Sequence, residues 1–278
     1  MGGILITGGS SYLGQHLVPL ASAQSETFYT YFENDPLQRP GGYQLDLRDA
    51  AAVLELVSVL KPKAIIHTAG SNRVADMESV IVNGTRHITQ AAVETDARLI
   101  HISTDVVFNG RAAPYDESAL PTPMHEYGRA KAEAEKIVAA YGNQAIVRTS
   151  LIYSLRLMDR GTAWMVQALR AGQPVTLFTD QRRNPVWVMT LSCACLELVA
   201  SAFRGIINVA GSQELSRAEF GLRMLDWWQI EERDTLKLAQ SDPECWPVDC
   251  TLDLSLAERV LANPLPGVDD ILTEQENL

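Results

Sequence analysis

Three shortages shape what this chain can be. Basic residues are outnumbered, 23 Lys and Arg against 34 Asp and Glu, which leaves a formal net charge of −11. Nucleic-acid binding needs clustered cations that displace counterions from phosphates, so a nucleic-acid partner is not expected. Cysteine is scarce, with four in 278 residues, and the spacing suits neither a disulfide framework nor a paired Cys-x-x-Cys metal site. Cys193 and Cys195 lie two apart in a stretch of helical periodicity and so point to different faces, and Cys245 and Cys250 are unpaired by spacing, so free, mostly buried thiols are expected. Long apolar runs are absent: no segment is long and uncharged enough to span a bilayer. The opening Met1-Gly2-Gly3-Ile4-Leu5-Ile6 carries no features of a secretory signal. His67, His87, His101 and His125 show no metal-ligand spacing, and no metal is expected. These absences point to a cytoplasmic protein with no membrane partner.

What is present is the material of a folded enzyme. With 46% hydrophobic and 21% charged residues, the chain can bury a large core. Short apolar runs at 3–6, 27–32, 64–68, 99–103 and 145–149 alternate with helical periodicity at 50–60, 80–94 and 126–140. This alternation predicts an α/β fold, a doubly wound parallel Rossmann sheet with right-handed crossovers. After Ser150 the pattern loosens into helices near 162–171 and 191–203 and strands at 175–178 and 206–209. Residues 1–150 are expected to form the dinucleotide-binding domain. Residues 151–278 are mainly a smaller, interleaved substrate-binding lobe, from which the strand near 206–209 returns to the sheet.

The first strand runs directly into Thr7-Gly8-Gly9-Ser10-Ser11-Tyr12-Leu13-Gly14, with Leu17 and Leu20 following at helical spacing. A strand, a glycine turn and a helix N-terminus present free backbone N–H groups and a favourable dipole to a pyrophosphate. Gly8 permits the turn, Gly9 or Ser11 allows close backbone approach, and Gly14 lets the helix pack closely. Ser11 stands where the middle glycine of G-x-x-G-x-x-G would be and offers a hydroxyl for phosphate. Pro19 falls inside the first helix and predicts that it is short or kinked. Cofactor type should be readable after the second strand, but Glu33, Asn34 and Arg39 leave NADH and NADPH both open. Asp46 and Leu47 are candidates for the adenine side, although an Asp there also suits a helix cap before Ala50.

Tyr127 and Lys131 stand four apart on a helical stretch and therefore share a face. A cation beside a phenol favours the phenolate and is expected to pull the tyrosine toward neutrality, making it a general acid or base. The strand before Thr104 and Asp105 places the Thr104 hydroxyl at the carboxyl edge of the sheet, where open α/β folds bind ligands.

With these residues in place, the chain resembles the extended short-chain dehydrogenases, and among them the dTDP-4-dehydrorhamnose reductase family. The likeness rests on ILITGGSSYLG at 4–14, ISTDVVFNG at 102–110, PYDES at 114–118, EYGRAK at 126–131 and RTSLIY at 148–153. It continues through DQRRNP at 180–185, TLDLSLA at 251–257 and PLPGV at 264–268, and so covers nearly the whole chain. The resemblance implies that Thr104, Tyr127 and Lys131 carry a carbonyl reduction. It also implies that Gly8, Ser10, Ser11, Tyr12, Leu13, Gly14, Thr68, Ala69, Gly70 and Asn83 lie near the cofactor or its support, together with Tyr127 and Lys131. The implied substrate is a nucleotide-linked 4-keto sugar, with Thr104, Asp105, Gln181 and Arg182 on the substrate side, and a homodimer is possible. Three departures fall on that side: a shortened stretch between Gly70 and Asn83, Arg183 where the family's D-Q-x-G-x-P has glycine, and Leu151 where an aromatic is usual. Dehydratases of this scaffold carry Glu after Thr-Asp, whereas Val106 stands here. A non-catalytic regulatory subunit, as in methionine adenosyltransferase, would be favoured by loss of the Tyr or Lys, and both are present.

Overall fold

Short, mostly apolar runs form the centre of the molecule. A computed structural model describes residues 2–70 and 76–276. Its first half runs β1 (Ile4–Thr7), α1 (Tyr12–Ser22), β2 (Thr27–Tyr31), β3 (Gly42–Gln44), α2 (Ala50–Leu60) and β4 (Ala64–His67). A π-helical turn (Glu78–Asn83), α3 (Gly84–Thr95), β5 (Arg98–Ile102), a 3-10 turn (Asp105–Val107), α4 (Glu126–Ala139) and β6 (Gln144–Arg148) follow. The second half contains β7 (Ile152–Tyr153), α5 (Arg160–Arg170), β8 (Val175–Phe178), β9 (Arg182–Arg183), β10 (Val186–Trp187) and α6 (Val188–Ala200). It ends with β11 (Gly205–Asn208), β12 (Leu215–Ser216), α7 (Arg217–Trp227), β13 (Leu236–Ala239), α8 (Ser255–Val260) and α9 (Val268–Glu276).

Seven strands make one sheet in the order β11-β6-β5-β4-β1-β2-β3, every neighbouring pair parallel. A parallel sheet needs helices on both faces, which is why β1, β4, β5 and β6 are buried throughout. Successive side chains alternate between two cores. Ile4, Ile6, Ile66, Ile100 and Val147 meet α1 and α6 through Leu17, Val18, Leu191 and Leu198. Leu5, Ile65, Leu99 and Ile146 meet α2 and α3 through Val53, Val57, Ile88 and Ala92.

The strand expected near 206–209 is β11 and does return to the sheet, beside β6. Strand order reverses between β1 and β4, the switch point at which such sheets open a crevice for ligands. The remaining lobe rests on smaller cores in which α5 and α7 pack over the β8–β13 pair through Met165, Leu169, Val175 and Leu225.

Two local expectations need correction and one is narrowed. Of the two alternatives for α1, the short one is excluded, since the helix runs on through Pro19 to Ser22. The helix expected at 80–94 opens with the π-helical turn before α3 begins at Gly84. The helix expected at 191–203 is α6, which begins at Val188 because residues before it already pack under the sheet. All four cysteines are free, Cys195 and Cys250 buried and Cys245 exposed. Among the described residues no helix is long and apolar enough to cross a membrane, and no group of three acidic, His or Cys side chains is placed to hold a metal.

Candidate active site

The glycine loop after β1 is built by close packing. Gly8 takes a φ of +76°, a left-handed conformation that glycine adopts without cost, and a Cβ there would sit 2.9 Å from Ala69. At Gly14 a Cβ would lie 2.3 Å from the Gly8 carbonyl oxygen, so only glycine lets α1 begin against the loop. Gly9 serves differently from the expectation: its missing Cβ makes room for the Tyr29 ring, 2.6 Å from where that atom would stand. The Ser11 hydroxyl, expected on phosphate, caps α1 by accepting from the Gly14 N–H at 3.0 Å and lies 3.0 Å from the Thr68 hydroxyl. Thr68 donates to the Thr7 carbonyl and supports the loop from beneath. Gly8 donates to the Thr30 hydroxyl, Gly9 to the Thr30 carbonyl and Ser11 to the Gly8 carbonyl, so the loop's offer to an anion is Ser10 and the N-terminus of α1.

A cavity of about 440 Å³ opens above this loop. Its lining includes Gly8, Ser10 and Ser11 of the loop, Asp46, Leu47 and Arg48 after β3, and Ala69 and Gly70 after β4. Arg48 donates to both Asp46 oxygens at 2.6–3.0 Å and lies 5.4 Å from the Phe32 ring centre. The helix cap before Ala50 is Asp49, which leaves Asp46 on the cavity. Leu13 is buried beneath α1, and Tyr12 at its start reaches away from the loop, its hydroxyl donating to the Leu157 carbonyl at 2.7 Å. Asn83 ends the π-helical turn, half-buried. Part of the shortened stretch after Gly70, at 71–75, lies outside the described residues.

Thr104 ends the segment from β5 and caps the 3-10 turn that follows. Tyr127 and Lys131 lie on α4, which can approach that turn because Gly128 has no side chain: a Cβ there would stand 2.3 Å from the Val106 carbonyl oxygen. Gly128→Ala is expected to displace α4 and lower kcat by roughly 10²-fold, since misplacement by an ångström has that effect on reacting groups. Kinetics beside dinucleotide titration check this; an unchanged kcat would show that α4 placement does not depend on Gly128.

The electrostatics differ from the sequence expectation. Burial, with the Asp105 carboxylate adding to it, pushes the Tyr127 phenol up to about 12, so Lys131 does not pull it toward neutrality. Lys131 is 3% exposed and donates to the Ile102 carbonyl at 2.5 Å, and burial pulls its ammonium down to about 8. Behind it, His67 lies 2.6 Å from the Thr7 hydroxyl and 5.2 Å, ring to ring, from His101. Burial first, then the Lys131 charge, hold His67 neutral with a pKa of about 3. One turn along α4 from Lys131, Glu135 pairs with Arg148 at 2.8 Å and accepts from Ser103 at 2.5 Å.

Asp105 is buried, accepts from Ser150 at 2.6 Å and lies 3.5 Å from the Arg183 guanidinium. Burial raises its carboxyl pKa against the pull of Arg183. Thr104 donates to it at 3.3 Å, so Asp105 orients Thr104. A second cavity of about 330 Å³ opens beside Leu151 and Ile152, and Gln181, Phe178, Trp164 and Trp246 line it. Gln181 is buried and its amide nitrogen has no partner within the protein, which marks a donor left for a ligand. Arg182 is not part of that lining: it pairs with Glu214 at 3.4 Å on the surface. The arginine that lines the cavity is Arg217, at the start of α7, which nothing in the sequence singles out.

Residues 1–265 match the family described as RmlD substrate binding domain. A probable low-salt glycan biosynthesis reductase, Agl14, of Haloferax volcanii is 29% identical over 290 residues, spanning 98% of this chain and 96% of that protein. The dTDP-4-keto-6-deoxy-D-glucose reductase of Streptomyces niveus is 28% identical over 249 residues, 86% of this chain and 79% of that one. Among solved structures, a hypothetical dTDP-4-dehydrorhamnose reductase from Sulfolobus tokodaii shares the fold with a TM-score of 0.82 at 29% identity, over 96% of this chain and 97% of the other.

Proposed function

The chain belongs to the RmlD substrate binding domain family, and we propose that it is an NADH- or NADPH-dependent oxidoreductase reducing the 4-keto group of a nucleoside-diphosphate deoxysugar. One observation carries this reading: the glycine loop follows β1 and Thr104 follows β5 in one parallel sheet, and Lys131, on the α4 that also bears Tyr127, donates to the Ile102 carbonyl at the end of β5.

The loop residues fit a dinucleotide, because a Cβ at Gly8 or Gly14 would fill the cradle that their absence leaves. A bound nicotinamide dinucleotide supplies the hydride. Ser10 and the N-terminal turn of α1 would hold its pyrophosphate, and Asp46 and Leu47 would meet the adenosine end. The chain's own contribution is proton delivery and alignment. Tyr127, kept protonated at neutral pH by burial, donates its hydroxyl proton to the developing alkoxide. Thr104 would turn its single hydroxyl proton from Asp105 to the same oxygen, and Lys131 places positive charge behind the phenol. Gln181 and Arg217 would receive polar groups of the sugar nucleotide. The same reading has residues 1–150 carrying the cofactor, 151–278 mainly the sugar, in a cytoplasmic homodimer of the sort the family resemblance implies.

The test is calorimetric titration with NADPH and NADH, repeated with a dTDP-4-keto-6-deoxysugar while nicotinamide oxidation is followed. Oxidation only when the sugar is present is expected. Failure to bind either dinucleotide overturns the whole reading; binding without turnover overturns the substrate and favours another carbonyl or a regulatory role.

A further inference from the structure

Residues 241–248 form a strap tied at both ends to the segment 180–183. At one end the Ser241 N–H donates to both Asp180 carboxylate oxygens, at 2.9 and 3.0 Å. At the other, Arg183, which stands where the family pattern has glycine, donates to the Pro247 and Val248 carbonyls, each at 3.0 Å. Arg183 is 5% exposed, so this anchor lies in the interior. Between the anchors, the Cys245 and Trp246 N–H groups close a turn onto the Asp242 carbonyl at 3.0 and 2.9 Å. Gln181, which falls between the two anchoring residues, accepts through its backbone carbonyl from the Arg217 N–H at 2.9 Å. Gln181, Arg217 and Trp246 thus stand on three segments fixed to one another, and all three line the second cavity.

Trp246 is the one whose side chain has no task so far. Of the five tryptophans only Trp164 and Trp246 are exposed, at 56% and 48%, and both line this cavity. Exposed indoles gathered at one cavity differ from scattered surface apolar groups and mark a place where a ligand lies. Trp246 is also held in place, with its ring centre 5.1 Å from that of His125 and the planes inclined by 56°. His125 caps α4, two residues before Tyr127. A flat ligand laid on an indole already fixed by its neighbours orders little that was mobile. Resting on the sugar-nucleotide reading above, we propose that Trp246 is the platform on which the nucleobase of the substrate stacks. The base is the flat end of such a ligand and lies farthest from the reacting carbonyl, so it falls to the exposed side of the cavity while the sugar is turned to Thr104 and Tyr127. Stacking uses the π-face that every base has, so the platform takes thymine and uracil alike.

The experiment titrates the wild type, Trp246→Ala, Trp246→Phe and Trp164→Ala with dTDP, UDP and dTDP-glucose by calorimetry, with NADPH as the check that each variant is folded. Trp246→Ala is expected to weaken all three nucleotides alike by about tenfold or more, the scale of one base stacked on an aromatic ring, while NADPH binds as before. Trp246→Phe should keep most of the affinity, and Trp164→Ala should lose less than Trp246→Ala. In the wild type dTDP should quench tryptophan emission, and much of that quench should be missing in Trp246→Phe. Equal dTDP affinity in the wild type and Trp246→Ala overturns the platform and leaves the sugar-nucleotide reading standing. A loss seen with dTDP-glucose but not with dTDP puts the indole against the sugar and overturns it too, as does a loss in Trp164→Ala alone. If none of the three nucleotides binds the wild type, the sugar-nucleotide reading falls and the platform with it.

Discussion

Replacing Tyr127 by Phe is expected to cut turnover roughly 10³-fold, the range that a positioned general acid supplies. Dinucleotide affinity should stay within about twofold of the wild type, because the hydroxyl acts on the reacting oxygen and uniform binding is untouched. The ring itself packs beside Ile81, Val82 and Ala130, so the variant keeps its apolar contacts and should fold normally. A phenol pushed up to about 12 carries its proton throughout the neutral range, which suits a donor in the reducing direction. Turnover and affinity are measured on one preparation, by steady-state kinetics and calorimetry. A variant that turns over at the wild-type rate would remove Tyr127 from the chemistry.

Glu135→Ala is expected to cost about 3–5 kcal/mol of stability, since it leaves the Arg148 guanidinium buried without its counter-charge. The pair is among the most enclosed in the molecule, with side-chain exposures of 1% for Arg148 and 5% for Glu135. Arg148 also donates to the Glu117 and Ala119 carbonyls and lies 5.0 Å from the Phe108 ring centre, and Phe108 stacks on Tyr115 at 4.0 Å. Ser103, adjacent to Thr104, donates to Glu135. The pair thus clamps α4 to the ends of β5 and β6. Urea unfolding of Glu135→Ala, Arg148→Met and the Glu135→Leu/Arg148→Met double variant checks it. The double variant should recover much of the loss, because replacing both charges with apolar groups removes the desolvation cost along with the attraction. Equal losses in single and double variants would point to packing instead of charge.

The fold was legible because buried parallel strands and amphipathic helices write different periods into the chain, and the runs at 3–6, 64–68 and 99–103 coincide with β1, β4 and β5 to within a residue. The glycines of the first loop were legible for the same reason, since only a turn of that kind needs them at 8 and 14. Other features depend on phase or on distance. Arg182 and Arg183 form a two-residue strand, so one faces out to Glu214 and the other in to Asp105; a strand that short leaves no pattern to say which. Arg160 and Arg217 reach the cavities from helices that only the folded chain brings there. The direction of the Tyr127 shift was misread because the cation four residues away is visible in the sequence, whereas burial and Asp105 are not.

The place of β11 has a consequence for how the chain is made. Strand β6 lies between β5 and β11, and α6 covers the same sheet face as α1, so the core around Ile4 and Leu17 also draws on Leu191, Leu198 and Ile207. While residues 1–150 leave the ribosome, β6 presents an open edge and α1 has no covering partner. That edge and that face stay without their native partners until residue 208 has been synthesised. Stalling or slow translation between residues 150 and 208 would lengthen the interval in which an unpaired strand edge is open to pairing with another chain.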